Sequence, residues 1–155
     1  MRIEEDIKLD YADVLFRPKR STLSSRKDVE LKRTYNFKYS NHQWSGIPII
    51  AANMDGVGEI SIAKNLAKFN MMTCLTKQHN AKDIKRNSIV KEIYPQLMLS
   101  TGTSNEDFKR LNEILKEFSF FEFICIDIAN GYSDHFSKFV SSVREKYPTK
   151  TIIAG

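Results

Sequence analysis

Cysteine is scarce in this chain: its 155 residues hold two, Cys74 and Cys125. That is far below the density of a disulfide scaffold, and neither has the close Cys/His spacing of a zinc site or a redox pair. Both fall in apolar, β-rich stretches and read as small buried hydrophobes. Six glycines and four prolines are too few for a collagenous or low-complexity chain. Long hydrophobic runs are also missing. The most apolar stretches, Ile47 to Ala52 and Phe118 to Cys125, break off well short of the ~20 residues a membrane-spanning helix needs. The start, Met1-Arg2-Ile3-Glu4-Glu5-Asp6, is acidic and has no apolar core, so it reads neither as a secretory signal nor as a transit peptide. The expectation is a soluble, cytoplasmic protein with no membrane partner. The three histidines, His42, His79 and His135, are too dispersed for a local metal motif, and no metal is expected. A G-x-G-x-x-G fingerprint and a P-loop lysine are both absent, which leaves a Rossmann or nucleoside-triphosphate reading without support.

Charge is present in excess of one sign, but only locally. The formal net charge is +5. Arg17, Lys19, Arg20, Arg26, Lys27, Lys32 and Arg33, set against Asp28 and Glu30, account for all of it, and the rest of the chain is neutral. A short basic arm on a neutral body suits a phosphate-bearing small molecule or a neighbouring subunit. A nucleic acid would want a basic face on the domain itself, so none is expected as a partner. A solvated charge run without function is the alternative.

From Ile47 the sequence has a rhythm. Short apolar, β-branched runs at Ile47 to Ala52, Met72 to Thr76, Leu97 to Gly102, Phe123 to Ala129 and Thr151 to Gly155 start 25, 25, 26 and 28 residues apart. Segments of helical period separate them. Phe108, Leu111, Ile114, Leu115 and Phe118 make one apolar stripe after a cap at Ser104; Phe136, Phe139, Val140, Val143 and Tyr147 make another after Ser133. Asn80 caps a segment ending near Tyr94, and Ile60 to Asn70 forms a further helix. Strands joined by helices run parallel, in a doubly wound sheet or a β/α barrel. A complete barrel takes about 250 residues, so four βα units and a fifth strand amount to roughly half of a (β/α)8 TIM barrel, and the chain reads as part of a longer protein. Residues 1–46 form an N-terminal basic arm and β-ribbon, with Tyr35, Phe37 and Tyr39 alternating and the ribbon packing across one barrel end. Residues 47–155 are the first half of the barrel.

In such folds ligands bind where strands end. The exits read Asn53-Met54-Asp55-Gly56, Lys77-Gln78-His79, Thr101-Gly102-Thr103-Ser104 and Asp127-Ile128-Ala129-Asn130-Gly131-Tyr132. Alternation sends Ile124, Ile126 and Ile128 toward the helices and turns Cys125 and Asp127 inward. An inward carboxylate needs a partner, and Lys77 is the expected one, either as a functional pair or as a buried structural ion pair. Asp55 reads equally well as the cap of a following turn.

Three segments carry a family resemblance. Leu9-Asp10-Tyr11-Ala12-Asp13-Val14-Leu15-Phe16-Arg17-Pro18-Lys19-Arg20-Ser21, Ser45-Gly46-Ile47-Pro48-Ile49-Ile50-Ala51-Ala52-Asn53-Met54-Asp55 and Cys125-Ile126-Asp127-Ile128-Ala129-Asn130-Gly131-Tyr132-Ser133-Asp134-His135-Phe136 resemble the N-terminal half of the GMP reductases, in the family these share with the IMP dehydrogenases. The resemblance implies a barrel enzyme, usually a homotetramer, that uses NADPH to deaminate GMP reductively to IMP and ammonia. In that family a cysteine after the fifth strand attacks the purine, and neither Cys74 nor Cys125 matches it. By the same resemblance Lys77 and Asp127 are catalytic. Ser25, Arg26, Lys77, Asp127, Ile128 and Ala129 bind the cofactor, Ser25 and Arg26 reaching the NADPH of an adjacent subunit. Met54 lies near the substrate base, and a monovalent cation would belong to the barrel's second half. Gly56 stands where the family has threonine, and Thr76 and Gln78 stand where histidines flank the lysine. The other readings are an IMP dehydrogenase without its regulatory insert, and a non-catalytic nucleotide-binding half-barrel.

Overall fold

The computed structural model describes residues 5–155; Met1 to Glu4, part of the acidic start, lie outside the described residues. Two compact units divide the chain, residues 1–30 and 31–155. In the first, two short 3-10 turns, Tyr11–Asp13 and Arg26–Asp28, are each closed by a capping box, Asp10 with Asp13 and Ser25 with Asp28. This unit exposes large apolar side chains, Leu15 and Phe16 almost entirely.

The second unit opens with an antiparallel hairpin of β1 (Arg33–Asn36) and β2 (Gln43–Gly46). A five-stranded sheet follows, β3 (Ile50–Ala51), β4 (Met72–Leu75), β5 (Leu97–Thr101), β6 (Phe123–Ile126) and β7 (Thr151–Ala154), in that spatial order and parallel throughout. The crossovers carry α1 (Ile60–Ala67), α2 (Ala81–Arg86), α3 (Val90–Ile93), α4 (Asn105–Glu117) and α5 (Asp134–Lys146). Sequential order without a reversal is the winding of a barrel rather than of a doubly wound sheet, which changes direction at a switch point. No helix among the described residues is long and apolar enough to cross a membrane.

Period-2 alternation sorts the sheet residues into two cores. Leu75, Leu97, Leu99, Ile124 and Ile126 pack with Leu111, Ile114, Phe136 and Val143 of the helices. On the other face, Met72, Cys74, Met98 and Phe123 join Trp44, with Phe37 and Cys125 packed against them. The hairpin thus closes the amino-terminal ends of the strands: Phe37 meets Phe123 edge-on at a centroid distance of 5.5 Å, and His42 does so at 5.1 Å. This packing groups residues 31–46 with the sheet, whereas composition divides the chain after residue 46.

The helices follow their caps. Ser104 Oγ accepts from Asp107 N and Ser133 Oγ from Phe136 N, and Leu111, Ile114 and Leu115 of α4 are buried. The segment expected to run from Asn80 to Tyr94 is broken instead into α2, α3 and a 3-10 turn at Tyr94–Gln96. Asn87 is the cause, because it leaves helical geometry while its side-chain amide donates to Asp83 O at 2.7 Å, a local alternative to the helical ladder. Helix α1 stops at Ala67 rather than Asn70, which adopts a left-handed conformation (φ 53°). Strand β3 is shorter than expected because Pro48 has no N–H to give a ladder.

Gly58 brings the β3–α1 loop against the end of β4. Its carbonyl accepts from Thr76 N at 2.9 Å, and a Cβ there would stand 2.5 Å from Cys74 O and 3.0 Å from Ala52 O. Gly58→Ala should therefore destabilise by about 1–3 kcal/mol, read as a lower urea midpoint. Leu111→Ala, which empties a fully buried site, should cost about 2–5 kcal/mol in the same measurement.

Candidate active site at the carboxyl ends of the strands

Every strand of the sheet runs the same way, so the β3, β4, β5 and β6 exits share one rim. Asn53, Asp127, Cys74, Cys125, Met98 and Gly155 line a concavity of about 260 Å³ there. A second hollow, of about 170 Å³, lies under the hairpin at the opposite strand ends and is walled by Tyr35, Phe37, Trp44 and other apolar groups. Among the described residues its lining is almost wholly apolar, unlike the polar rim of the first.

Asp127 faces the mouth, as alternation predicts, but Lys77 is not its partner. Asn53 Nδ2 donates to Asp127 Oδ2 at 3.0 Å, joining the β3 and β6 exits across the mouth. Lys77 Nζ instead lies 3.7 Å from Asp107 Oδ2 on α4, with its side chain 56% exposed. Proximity in the chain's rhythm made Lys77 and Asp127 look like partners, yet the β5 exit and the start of α4 supply a nearer carboxylate. A loose, exposed pair of this kind is worth about 0–1 kcal/mol, so Lys77 is not half of a buried structural ion pair.

Beneath Lys77 the loop is clamped by a residue that sequence reasoning missed. Arg110, one turn along α4 from Asp107, donates to His79 O at 2.8 Å and to Ser100 O at 2.6 Å. Desolvation pushes its guanidinium below the ordinary arginine range, with Asp107 acting in the opposite sense. His79 Nε2 is 3.1 Å from Glu59 Oε2 at the start of α1. Gly102 belongs to this arrangement because a Cβ would stand 2.4 Å from Asp107 Oδ2. The available sequence signal was the Asp107–Arg110 spacing, which places both on one helix face beside the apolar stripe.

The remaining expected residues are spread over both units. Met54 is exposed on the β3 exit. Ile128 turns its side chain into the helix-side core while its N–H donates to Gly155 O at 3.1 Å, and Ala129 is exposed beside it. Ser25 Oγ accepts from Lys27 N, so it caps the turn whose first residue is the exposed Arg26. Gly56 has a positive φ of 74° with open space where a Cβ would stand. Thr76 is buried at the base of the Lys77 loop, and Gln78 is exposed beside it.

Both cysteines lie within strands, as expected. Cys74 is buried and Cys125 half-buried. The neighbouring Cys125 thiol, then burial, pushes the Cys74 pKa far above the ordinary thiol range, and the Cys74 thiol pulls Cys125 below its usual value against desolvation and the Asp127 charge.

A parallel β/α sheet wound in sequential order, with a polar rim at its strand exits, defines an α/β protein of the barrel type. Residues 8–155 match the family model described as "IMP dehydrogenase / GMP reductase domain", and the chain belongs to that family. It is 52% identical to proteins named GMP reductase from Escherichia coli O81 (strain ED1a) and Citrobacter koseri, over 100% of this chain and 45% of each relative. The chain thus spans about 45% of the length of these curated relatives. A solved structure titled as the inosine 5' monophosphate dehydrogenase of Legionella pneumophila superposes with a TM-score of 0.71 at 24% identity, covering 93% of this chain and 42% of that one. At that identity it establishes a shared fold.

The thiol pair can be read out chemically. A maleimide should label Cys125 before Cys74. Site-resolved mass spectrometry follows both.

Proposed function

We propose that this chain is the N-terminal half of a GMP reductase, an oxidoreductase that deaminates GMP to IMP and ammonia at the expense of NADPH in purine nucleotide interconversion. The observation that carries it is 52% identity, along the whole chain, to proteins named GMP reductase. Residues 1–46 serve as the arm and ribbon and 47–155 as the first half of a (β/α)8 barrel, with the nucleophilic cysteine in the second half. The protein works in the cytoplasm as a homotetramer with NADPH sites shared between subunits. The fully exposed apolar side chains of the arm, Leu15 and Phe16, support its burial on another subunit. A monovalent cation, where used, belongs to the second half.

The chain's own residues fit an anionic dinucleotide. NADPH supplies a hydride when bound. Arg26, exposed on its capped turn, offers a charged contact to phosphate, and Ser25 holds the turn that presents it. Lys77 stands exposed at the rim with only a loose partner, free to meet ribose, amide or departing ammonia. Asp127 accepts hydrogen bonds at the mouth, beside the backbone of Ile128 and Ala129. Met54, on the neighbouring exit, offers an apolar surface to the purine.

A chimera that carries residues 1–155 in place of the matching segment of the Escherichia coli relative tests the reading. It should oxidise NADPH only when GMP is present and form IMP and ammonia; a folded chimera without turnover, beside an active parent, would refute it. In that chimera Lys77→Met should lower kcat by about 100-fold or more and leave the melting temperature nearly unchanged. Arg26→Ala should raise KM for NADPH more than KM for GMP.

A further inference from the structure

The contact between Asn53 and Asp127 links residues 74 positions apart, on strand exits separated by β4 and β5. Both side chains line the rim concavity. Asn53 is therefore not capping its own turn; its amide is used on a carboxylate across the mouth. Asp127 has its backbone fixed independently, since its N–H donates to Thr101 O at 3.2 Å. What the backbone leaves free is the carboxylate torsion, and the Asn53 amide sets it: Oδ2 is occupied and Oδ1 remains for a ligand. A neutral donor adds no charge to the mouth, which a lysine in the same place would do.

We propose that Asn53 is a positioning residue for Asp127, locking the carboxylate in the orientation that receives the cofactor. The proposal rests on the reading of this site as a reductase mouth. Its chemistry makes a specific demand. At position 53 only a hydrogen-bond donor will serve, and an aspartate will serve only while protonated. In Asn53→Asp two carboxylates meet at hydrogen-bond distance, and mutual repulsion raises the pKa of the pair. At low pH the shared proton bridges them and restores the amide's geometry. As pH rises the proton is lost, the carboxylates repel and Asp127 swings away.

The groups coupled electrostatically to Asp127 are the Cys74 and Cys125 thiols. They are unchanged in the variant, so comparison with the unsubstituted protein cancels their titration.

The test uses the active chimera described above. Asn53→Ala should raise KM for NADPH about tenfold across the pH range, with KM for GMP nearly constant. Asn53→Asp should approach unsubstituted behaviour at the acid end of the pH range in which the enzyme stays folded and match Asn53→Ala at the alkaline end. Inactivity of the unsubstituted chimera would overturn the functional reading itself. An active chimera in which Asn53→Ala leaves both KM values unaltered, or in which Asn53→Asp shows the same defect at every pH, would overturn the positioning role alone. A purely structural Asn53 predicts a lower melting temperature with no acid rescue, and that outcome overturns it too.

Discussion

Five strands running in one direction, each hydrogen-bonded to the next in sequence, are the constraint on which the remaining features depend. Parallel pairing forces a crossover after every strand, and here the crossovers are helices. Sequential order sends all of them to the same face, so one side of the sheet becomes a helix-covered core and the other an interior. The same ladder places the strand exits on one rim. Asn53, Lys77, Gly102 and Asp127 come from positions up to 74 residues apart, and no local motif could have assembled them.

The two ends of this interior have been given different chemistry. At the amino-terminal ends Trp44, Phe37 and Phe123 form a largely apolar closure. At the carboxyl ends a carboxylate, an amide and two thiols share one concavity. Burying an aromatic hairpin at the first end stabilises the sheet without touching the second, which is how barrel-type folds separate stability from function. Polar groups at the rim are costly unless partnered. The structure partners Asp127 with a neutral amide and Lys77 with a loose carboxylate.

Much of the fold was legible in the sequence because it rests on period and on caps. The five strands, the caps at Asn80, Ser104 and Ser133, and the inward turn of Asp127 follow from alternation and from local hydrogen bonding, which are encoded within a few residues. What was not legible depends on competition between near neighbours. Asn87 breaks the α2–α3 segment because its amide finds Asp83 O; from sequence, an asparagine within a helical pattern carries only a modest penalty. The helical residues of the site were hidden for a related reason. Asp107 reads as an ordinary first-turn acid, and Arg110 as a solvated charge, until the β4 exit folds over them.

The misassigned pair explains why charge alone is a poor guide to partners at such a rim. Lys77 and Asp127 attract at any distance, but a long exposed side chain takes the nearest carboxylate whose approach requires no backbone movement, and Asp107 sits beneath its own loop. Arg110 reinforces that choice by fixing the loop through carbonyls, so Lys77 is anchored at its base while its side chain stays 56% exposed. Asp127 is then left to a neutral donor. The outcome is a cation and an anion held apart on one mouth, each tethered by a different element. That separation leaves neither charge neutralised by the other, as a mutual ion pair would have done.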